Sequence, residues 1–571
     1  MRTVLSLALV TTSLLSRAPL HAQGPVVESK QGVVVSASAL ASDIGASILR
    51  KGGNAVDAAV ATAFALAVTY PGAGNIGGGG FMVIQPVQGK AVAIDYRERA
   101  PLKATPTMYL GPDGKIDRSL TESGWLAPGV PGTPRGLELA HRTYGKLKWR
   151  DVVLPAAELA ERGFPVDSGL AKGLNWALRG PMARFPATVA AYGKPGGGNW
   201  QMGDTLRLPD LGRTLRAIAD QGADAFYTGP IAGMVADAMA ANGGIITRED
   251  LTAYRPKVRE PVRGTYKGYE VISMPPPSSG GIVILETLNQ LEGFNLKARG
   301  RYSVSTIHLT LEAMRRAYLD RARYLGDPDF VTVPVARLIS KAHGNELARS
   351  IDTTHATSSA VLGKDIVTVQ DGGESTETTH FSVVDGDGMA VANTFTLEGG
   401  FGSFVVVPGA GFLLNNEMGD FNKKPGETNL QGDIGTQANL IAPGKRMLSS
   451  MSPTIVRKNG QTVLVTGSPG GRTIPNTVLS VLLGVMEFGM SPREAVDAQR
   501  IHHQWLPDEG AIEADALGDA DLAKLRVMGH TLRVWPRWAQ GDAHTIAYDP
   551  ATHTAYGVND RRSSDSKVSV P

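Results

Sequence analysis

The pattern of apolar and polar positions divides the chain into a mixed first part and a last part that is rich in strands. Short apolar runs predict strands over residues 32–36, 81–85 and 91–96. Helical periodicity, with glycine or proline near helix ends, predicts helices over residues 38–49, 55–68, 152–162, 231–241, 282–291 and 305–324. From Thr378 onward, strands are predicted over residues 378–384, 389–395, 404–407, 453–457 and 462–466, with helices over residues 477–488 and 492–499. Helices and mostly antiparallel strands in separate blocks indicate an α+β fold in which sheets lie against helical layers.

The first 22 residues have the features of a secretory signal. Arg2 provides a positive start, residues 4–15 form an apolar run too short to span a bilayer, and a small residue, Ala22, stands at the expected cleavage point. The alternative is a disordered or anchoring N-terminal segment. We expect removal of the signal and a periplasmic or secreted mature protein. Residues 55–70 are also apolar, but Asp57 within them favours a buried helix, so no membrane span is expected.

Composition narrows the classes of function. The 571 residues include 57 basic and 54 acidic ones, so no excess of positive charge indicates a nucleic acid or an anionic membrane as partner. The chain contains no cysteine, which excludes disulfide bonds, thiolate metal sites and a cysteine nucleophile. The length predicts either two or more domains or one large fold in two parts.

A hairpin is predicted where the strand-rich part begins. Residues 378–385 and 389–396 flank a three-residue loop, Gly-Asp-Gly. If Asp385 faces Met389, the same register places Thr378 opposite Thr396, and opposed side chains share one face of a sheet with Cβ atoms about 5 Å apart. A slip of one residue would place Phe395 there instead. Taken alone, the pattern is more typical of an exposed pair of threonine-rich strands, because threonine favours strands.

The hairpin is the first of several blocks that occur in a known order. It begins with ETTHFSVV at residues 377–384. The other blocks are DYRERAP at 95–101, MPPPSSGG at 274–281, LNNEMGDF at 414–421, LSSMSPT at 448–454 and GSPGG at 467–471. Together these blocks resemble those of the γ-glutamyltranspeptidase family, from about residue 32 to the C-terminus. In that family the first block is a processing site.

The resemblance implies an N-terminal-nucleophile hydrolase fold, a four-layer αββα sandwich with two mostly antiparallel sheets between helical layers. It also implies that the precursor cuts its own peptide bond between Glu377 and Thr378. A large subunit of residues 23–377 and a small subunit of residues 378–571 would then form a heterodimer. Thr378 becomes the nucleophile, and its new α-amino group, with a reference pKa of about 7.7–8.0, is a base close to working pH. Thr396 is placed to orient the hydroxyl, and Thr394 lies on the same face.

By the same resemblance, a group of polar residues is expected to bind substrate. Arg97 would pair with the α-carboxylate, because its planar guanidinium matches a carboxylate with two hydrogen bonds. Asp420 would pair with the α-ammonium group. Taken alone, either residue would be interpreted as one member of a surface ion pair. The further candidates are Asn416, Glu417, Ser449 and Ser450.

Gly470 and Gly471 follow a predicted strand and precede a predicted helix. Without side chains there, backbone N–H groups can approach a developing oxyanion, which is the catalytic role that the resemblance implies. A phosphate-binding loop is the rival interpretation. The segment lacks the Lys-Ser/Thr ending of a nucleotide site, so we reject that interpretation.

The implied chemistry is two acyl transfers that use no metal and no cofactor. Thr378 attacks the γ-carbonyl of glutathione or a related γ-glutamyl compound, forms an ester, and passes the γ-glutamyl group to water, an amino acid or a peptide. His502, His503 and His544 could suggest a metal site. Adjacent residues on a strand point apart, however, and no acidic cluster accompanies these histidines, so structural or surface roles are expected.

Four positions depart from the family pattern. Glu398, expected beside the substrate, stands where many members have asparagine, and Gln431 replaces a tyrosine that gates the pocket from the loop at residues 425–437. Gly419 replaces an acidic neighbour of Asp420, and the turn at Asp560 lacks a proline. None of these changes removes the nucleophile. These changes leave open how well acceptors compete with water for the γ-glutamyl group.

Two other functions are weighed against this one. A related acylase would cleave glutaryl or cephalosporin side-chain amides. The presence of both Arg97 and Asp420 favours an α-amino acid head group instead, since a glutaryl group has no ammonium for Asp420 to meet. An inactive secreted scaffold would show no cleavage before Thr378.

Overall fold

Two seven-stranded sheets lie face to face in the computed structural model, which describes residues 25–366, 368–369, 377–426, 428–429 and 437–571. The first sheet has the strand order Lys567–Ser569, Gly32–Ser36, Thr379–Asp385, Ala390–Thr396, Gly79–Gln85, Val92–Asp95 and Lys257–Arg259. The second sheet has the order Val27–Ser29, Thr554–Val558, Thr545–Asp549, Gln461–Thr466, Thr454–Lys458, Tyr269–Ser273 and Val262–Tyr266. Neighbouring strands within both sheets are antiparallel wherever their register is defined.

Helices cover the outer face of each sheet. Those packed in the core of the first sheet are Ala39–Arg50, Ala55–Thr69, Thr133–Tyr144, Trp149–Arg162, Ser168–Arg179, Pro209–Gln221 and Pro230–Ala241. Those packed in the core of the second are Gly280–Leu291, Val304–Tyr324, Ile474–Met486, Pro492–Asp497 and Asp519–Val527, with Lys341–Arg349 against Gly280–Leu291. Shorter helices are Ser119–Glu122, Pro186–Tyr192, Asp224–Tyr227, Arg248–Ala253, Leu296–Arg299, Val335–Leu338 and Ser359–Leu362. Small peripheral strands are Phe164–Pro165, Thr205–Leu206, Thr368–Val369, Thr428–Asn429, Ile501–His502, Gly510–Glu513 and Leu532–Trp535.

The alternation of side chains along the strands separates the layers. Val34 and Phe381 point toward the helices that cover the first sheet. Val33, Val35 and Val384 point the other way, into the core between the two sheets. Since successive residues of a strand face opposite sides, both faces of the first sheet are buried. The predicted four-layer αββα arrangement is therefore present.

The predicted hairpin register is confirmed. Thr379 lies opposite Phe395 and His380 lies opposite Thr394. Thr378 immediately precedes its strand, at the same end of the hairpin as Thr396. Each sheet contains strands from both sides of residue 378, so the chain forms one two-part fold rather than separate domains.

The other element predictions are mostly confirmed, with two kinds of error. The helices begin and end within a few residues of the predicted bounds. The predicted strand at residues 404–407 is wrong: Phe404 has a φ of 62°, and only an isolated bridge joins Val406 to Leu413. Several strands of the second sheet were not predicted, namely Val262–Tyr266, Tyr269–Ser273, Thr545–Asp549 and Thr554–Val558.

Some predictions fall outside the described residues. These are the signal at residues 1–22 and Gln431 with most of its loop. The predicted buried helix at residues 55–68 is confirmed, because every residue of Ala55–Thr69 is buried. Across the described part of the chain, no helix combines the length and apolar character needed to cross a membrane.

Candidate active site

A cavity of about 580 Å³ opens at the Thr378 end of the hairpin. It brings together nearly all the predicted site residues, although they are spread over more than 370 positions of sequence, from 97 to 471. Those in its wall are Arg97, Glu377, Thr378, Thr396, Glu398, Asn416, Glu417, Asp420, Ser449, Ser450 and Gly471. Gly470 precedes the last of these and is not itself part of the wall.

The peptide bond between Glu377 and Thr378 has its carbonyl oxygen between two hydroxyl groups. The Thr378 hydroxyl donates to the Glu377 oxygen over 2.7 Å, and the Thr396 hydroxyl donates to the same oxygen over 3.0 Å. The Thr396 oxygen in turn accepts the backbone N–H of Glu398 over 2.8 Å, which fixes the direction of its own proton. Both threonines are buried. Both hydroxyls thus polarise the carbonyl, and one of them belongs to Thr378, the residue that follows it.

The end of the hairpin is held by a buried asparagine. Asn75 donates from Nδ2 to the carbonyl oxygen of Thr396 over 2.8 Å and accepts the backbone N–H of Gly78 over 3.0 Å. A Cβ on Gly78 would lie 2.1 Å from the Thr396 oxygen, so the loop can approach the strand only as glycine. The glycine-rich segment therefore sets the position of Thr396.

Thr394, on the same face as Thr396, is hydrogen-bonded to a buried histidine. Its hydroxyl is hydrogen-bonded to Nδ1 of His380 over 2.8 Å, and His380 Nε2 lies 3.0 Å from the Ser382 hydroxyl. Burial lowers the pKa of His380 well below its ordinary value. The neutral imidazole and Thr394 therefore form a bonded group between the sheets, and Thr394 does not reach the cavity wall.

Arg97 is buried among three carboxyl groups. Its Nη1 lies 2.6 Å from Glu417 and 3.6 Å from Glu98, and its Nη2 donates to Asp420. The guanidinium also donates to the Met447 and Leu448 carbonyl oxygens over 3.3 Å. Asp420 is the only one of the three carboxyls with an appreciably exposed side chain, at 22%. Arg97 and Asp420 are therefore placed together, as predicted.

One guanidinium cannot balance three ionised carboxylates in a buried site. Burial raises the pKa of Glu98 to about 8, against the attraction of Arg97. Burial also raises the pKa of Glu417 well above its ordinary value, since Glu98 and Asp420 add repulsion. Glu98 and Glu417 therefore hold a proton to higher pH than ordinary glutamates do, and Asp420 is the one of the three whose side chain is partly exposed.

Ser449 and Ser450 are held by the proline-rich segment at residues 274–281. Ser279 donates from both its backbone N–H and its hydroxyl to the Ser449 carbonyl oxygen, each over 2.7 Å. A Cβ on Gly280 would lie 2.0 Å from the Ser452 hydroxyl oxygen, which explains the glycine that follows. The two serines therefore line the cavity on a rigid turn.

Arg321 is a site residue that sequence reasoning missed. It lies in the long helix Val304–Tyr324 and donates from Nε to the Ser279 hydroxyl over 3.0 Å and from Nη2 to the Ser450 hydroxyl over 3.3 Å. Its side chain reaches the cavity wall. Nothing in the helical pattern distinguished this arginine from the others in the same helix. Further wall residues that sequence reasoning did not name include Arg118, Trp176, Lys423 and Arg472.

Gly470 and Gly471 form the turn between the strand Gln461–Thr466 and the helix Ile474–Met486. Their φ angles are 128° and 55°, in the region that favours glycine. The Gly470 carbonyl oxygen accepts the backbone N–H and the hydroxyl of Thr473. The turn therefore presents backbone, rather than a side chain, to the cavity at Gly471.

The three histidines considered for a metal are buried, which favours the structural one of their two expected roles. His502 accepts a hydrogen bond from Asn476 over 2.7 Å, and His503 accepts one from Arg315 over 2.9 Å. Burial lowers the pKa of His502, His503 and His544 to about 4. None of the three lines the cavity.

Comparison with known proteins agrees with this arrangement. The sequence profile described as gamma-glutamyltranspeptidase matches residues 41–570. A glutathione hydrolase proenzyme of Escherichia coli strain K12 is 46% identical over 539 residues, covering 94% of this chain and 92% of the relative.

Two solved structures are also similar. A cephalosporin acylase from Bacillus halodurans is 29% identical with a TM-score of 0.84, covering 98% of this chain and 99% of that one. A γ-glutamyltranspeptidase chain from Helicobacter pylori is 45% identical with a TM-score of 0.57, and 58% of this chain covers 95% of it. With the profile matched over nearly its whole length, this chain belongs to the γ-glutamyltranspeptidase family.

Proposed function

We propose that this chain is the precursor of a γ-glutamyltransferase that hydrolyses glutathione and related γ-glutamyl amides. One observation carries the proposal: the Glu377–Thr378 peptide bond and the Arg97–Asp420 pair open onto the same cavity. The first is the bond whose cleavage creates the nucleophile. The second is a pair of charges matched to an α-amino acid.

The first reaction is cleavage of the chain by its own threonine. The Thr378 hydroxyl oxygen attacks the Glu377 carbonyl carbon, and the oxyanion that develops receives the hydrogen bond of Thr396, already 3.0 Å from that oxygen. The hydroxyl proton passes to the Thr378 nitrogen as the C–N bond breaks, which leaves an ester on the Thr378 oxygen and a free α-amino group. Water hydrolyses the ester to the Glu377 carboxylate and restores the hydroxyl.

The second reaction uses the amine that the first one releases. The α-amino group of Thr378 takes the proton of its own hydroxyl as that oxygen attacks the γ-carbonyl of the donor. The leaving amine departs with a proton, and a γ-glutamyl ester forms on Thr378. Water, an amino acid or a peptide then accepts the γ-glutamyl group. Backbone N–H groups at Gly470 and Gly471 are proposed to stabilise the oxyanion in both halves.

Recognition of the donor depends on the ammonium and carboxylate groups attached to its α-carbon. Asp420, with its partly exposed carboxylate, pairs with the α-ammonium group. Arg97 pairs with the α-carboxylate. This carboxylate takes the place of carboxyl groups of the protein that contact the guanidinium when the site is free. The hydroxyls of Ser449 and Ser450 add hydrogen bonds to that carboxylate, and Glu417 and Glu398 complete the polar wall.

The processed protein is proposed to be a heterodimer of residues 23–377 and 378–571, exported after removal of residues 1–22. Both sheets are built from strands of both parts, which supports an association that survives the cut. The relative of Escherichia coli is named as a proenzyme, which supports processing from one precursor.

Comparison of two anilides tests the function. We expect the purified protein to release the aniline from a γ-glutamyl anilide at least 100-fold faster, in kcat/KM, than from the matching glutaryl anilide. The two substrates differ only in the α-ammonium group that Asp420 is proposed to bind. A preference for the glutaryl anilide would instead support the acylase function. Turnover of neither by a cleaved protein would contradict both.

A further inference from the structure

A buried cluster of ionisable groups lies in the helical layer behind the second sheet. Glu286 comes from the helix Gly280–Leu291, Asp320 from Val304–Tyr324 and His343 from Lys341–Arg349. One ligand atom from each residue lies within 4.8 Å of the other two, and all three side chains are buried. Among the residues that the structure describes, it is the one such group of three.

Glu286 brings two acceptors without a donor into the cluster. Glu286 is fully buried, yet neither of its carboxylate oxygens accepts a hydrogen bond from any described residue. The charge of Arg337 acts on Glu286 without a hydrogen bond to it. A buried acceptor without a donor is costly, and the two Glu286 oxygens together indicate a missing partner at this position.

We propose that Glu286, Asp320 and His343 bind one divalent first-row transition cation. Two carboxylates and an imidazole form a mixed oxygen and nitrogen donor set, which suits Zn²⁺ or Mn²⁺ better than the all-oxygen sites of Ca²⁺ and Mg²⁺. Ligand atoms about 2.1 Å from a tetrahedral ion lie roughly 3.4 Å apart. The present separations, 2.7 Å between His343 Nε2 and Asp320 and at most 4.8 Å within the group, reach that geometry by small side-chain rotations.

The ion has a structural role, joining three helices that otherwise meet through uncompensated acceptors. Asp320 directly precedes Arg321, whose guanidinium holds Ser279 and Ser450. Glu286 lies less than two turns after Ser279, the residue that precedes the helix. The cation therefore stabilises the helices on which the serine turn of the cavity rests, without contacting the substrate.

The rival interpretation is a shared proton. In the absence of a cation, burial and the neighbouring Asp320 carboxylate raise the pKa of Glu286 well above its ordinary value. A protonated Glu286 would then donate to Asp320. The two interpretations differ in what a glutamine at position 286 does, because glutamine mimics the protonated acid but is a poor metal ligand.

The experiment titrates Zn²⁺ into the full protein, purified without a metal-affinity column and freed of metal with a chelator. Calorimetry and the thermal midpoint Tm are the measurements. We expect one Zn²⁺ per chain and a rise in Tm of at least about 3 °C at saturating Zn²⁺. Glu286→Gln and His343→Ala should each weaken Zn²⁺ binding at least tenfold and lose most of that rise. Co²⁺ should give d–d absorption bands in the wild type that the variants lack.

His141→Ala is the matched control. His141 is also buried beside a carboxylate, with Nε2 3.3 Å from Asp57, and it belongs to no group of three in the described part of the chain. This variant should keep the response of Tm to Zn²⁺. Equal Zn²⁺ binding by the wild type and by Glu286→Gln or His343→Ala overturns the proposal. Absence of Zn²⁺ binding at 100-fold excess also overturns it. If Glu286→Gln is then as stable as the wild type, the cluster holds a shared proton instead.

Discussion

The hydroxyl of Thr396 donates a hydrogen bond to the carbonyl oxygen of Glu377 over 3.0 Å, across the mouth of the hairpin. That oxygen belongs to the peptide bond that precedes Thr378. The Thr396 hydroxyl therefore contacts the carbonyl group that Thr378 is proposed to attack. The contact depends on the register of two central strands and on Asn75. The strand pairing of the sheet therefore positions a group that takes part in the chemistry proposed for the cavity.

Replacement of Thr396 tests that contact. Thr396→Val keeps the side-chain shape but removes the donor, so we expect self-cleavage to slow by about 10²–10³-fold. Thr396→Ser should cleave at a rate closer to that of the wild type. The rate is measured by following the uncut precursor on denaturing gels after synthesis.

Thr394→Val controls for the loss of a buried hydroxyl. It removes the partner of His380 and should lower the unfolding free energy by about 1–3 kcal/mol. Its cleavage rate should stay near that of the wild type. Equal slowing by the two valine variants would show that Thr396 acts through stability and not through the carbonyl.

Thr378 is expected to serve both reactions. Thr378→Ala should remain one uncut chain without turnover, because the nucleophile of each step is lost. Thr378→Ser, which keeps a hydroxyl, should cut itself and turn over substrate at reduced rates. Any cleavage of the alanine variant at this bond, under conditions free of other proteases, would remove Thr378 from the processing step.

Asp420 is expected to separate binding from processing. Asp420→Asn should still be cut before its threonine, while kcat/KM for a γ-glutamyl anilide falls by about 10–100-fold, since a charged hydrogen bond to the α-ammonium group is lost. Turnover of a glutaryl anilide, which lacks that group, is the internal control and should not fall. An equal loss with both substrates would indicate a general disturbance of the site.

Arg321 is expected to position the serine turn. Arg321→Met removes the hydrogen bonds to Ser279 and Ser450 and should raise KM by about tenfold with a smaller change in kcat. Arg321→Lys should recover part of the affinity, because one ammonium group can still reach one hydroxyl. A fall in kcat with unchanged KM would contradict a role in binding the donor.

The buried Glu98 predicts a specific dependence of stability on pH. Burial raises its pKa to about 8 in the folded protein, so the folded state keeps a proton that the unfolded state loses above about pH 4.5. The stability gained from neutral Glu98 is complete below that pH and is lost as the pH rises toward 8. Glu98→Gln cannot lose this proton. Its unfolding free energy relative to the wild type should rise by up to about 1.4 kcal/mol per pH unit across that window.

Urea unfolding at pH 5, 7 and 9 measures this difference. Glu158→Gln, at an exposed position of the helix Trp149–Arg162, is the control and should leave the pH dependence unchanged. A constant difference between Glu98→Gln and the wild type at all three pH values would show that Glu98 is ionised throughout.

Much of the fold could be predicted from local pattern. The helices and the hairpin follow from periodicity, from glycine and proline at helix ends, and from an Asp-Gly loop whose register the structure reproduces. Strand Val262–Tyr266 was missed, because its pattern is weak and its pairing with Tyr269–Ser273 depends on the second sheet around it. Residues 404–407 were predicted as a strand because they are apolar. They are apolar because they pack in the core, and the left-handed backbone at Phe404 is incompatible with a strand.

The candidate site was predictable where a residue lies in a motif. Arg97, Asp420 and Ser449 each stand in a multi-residue block, and the structure places them around one cavity. Arg321 stands in a long helix with several other arginines, and only the packing of that helix against the serine turn distinguishes it. The carboxyl group of Glu98 was likewise part of a motif, but its contact with Arg97 needed the fold.

The most direct measurement is the mass and N-terminal sequence of the fragments in a purified sample that turns over a γ-glutamyl substrate. The account predicts two fragments, the smaller one starting at Thr378. A single uncut polypeptide with full turnover, or a small fragment that starts at another residue, would contradict it.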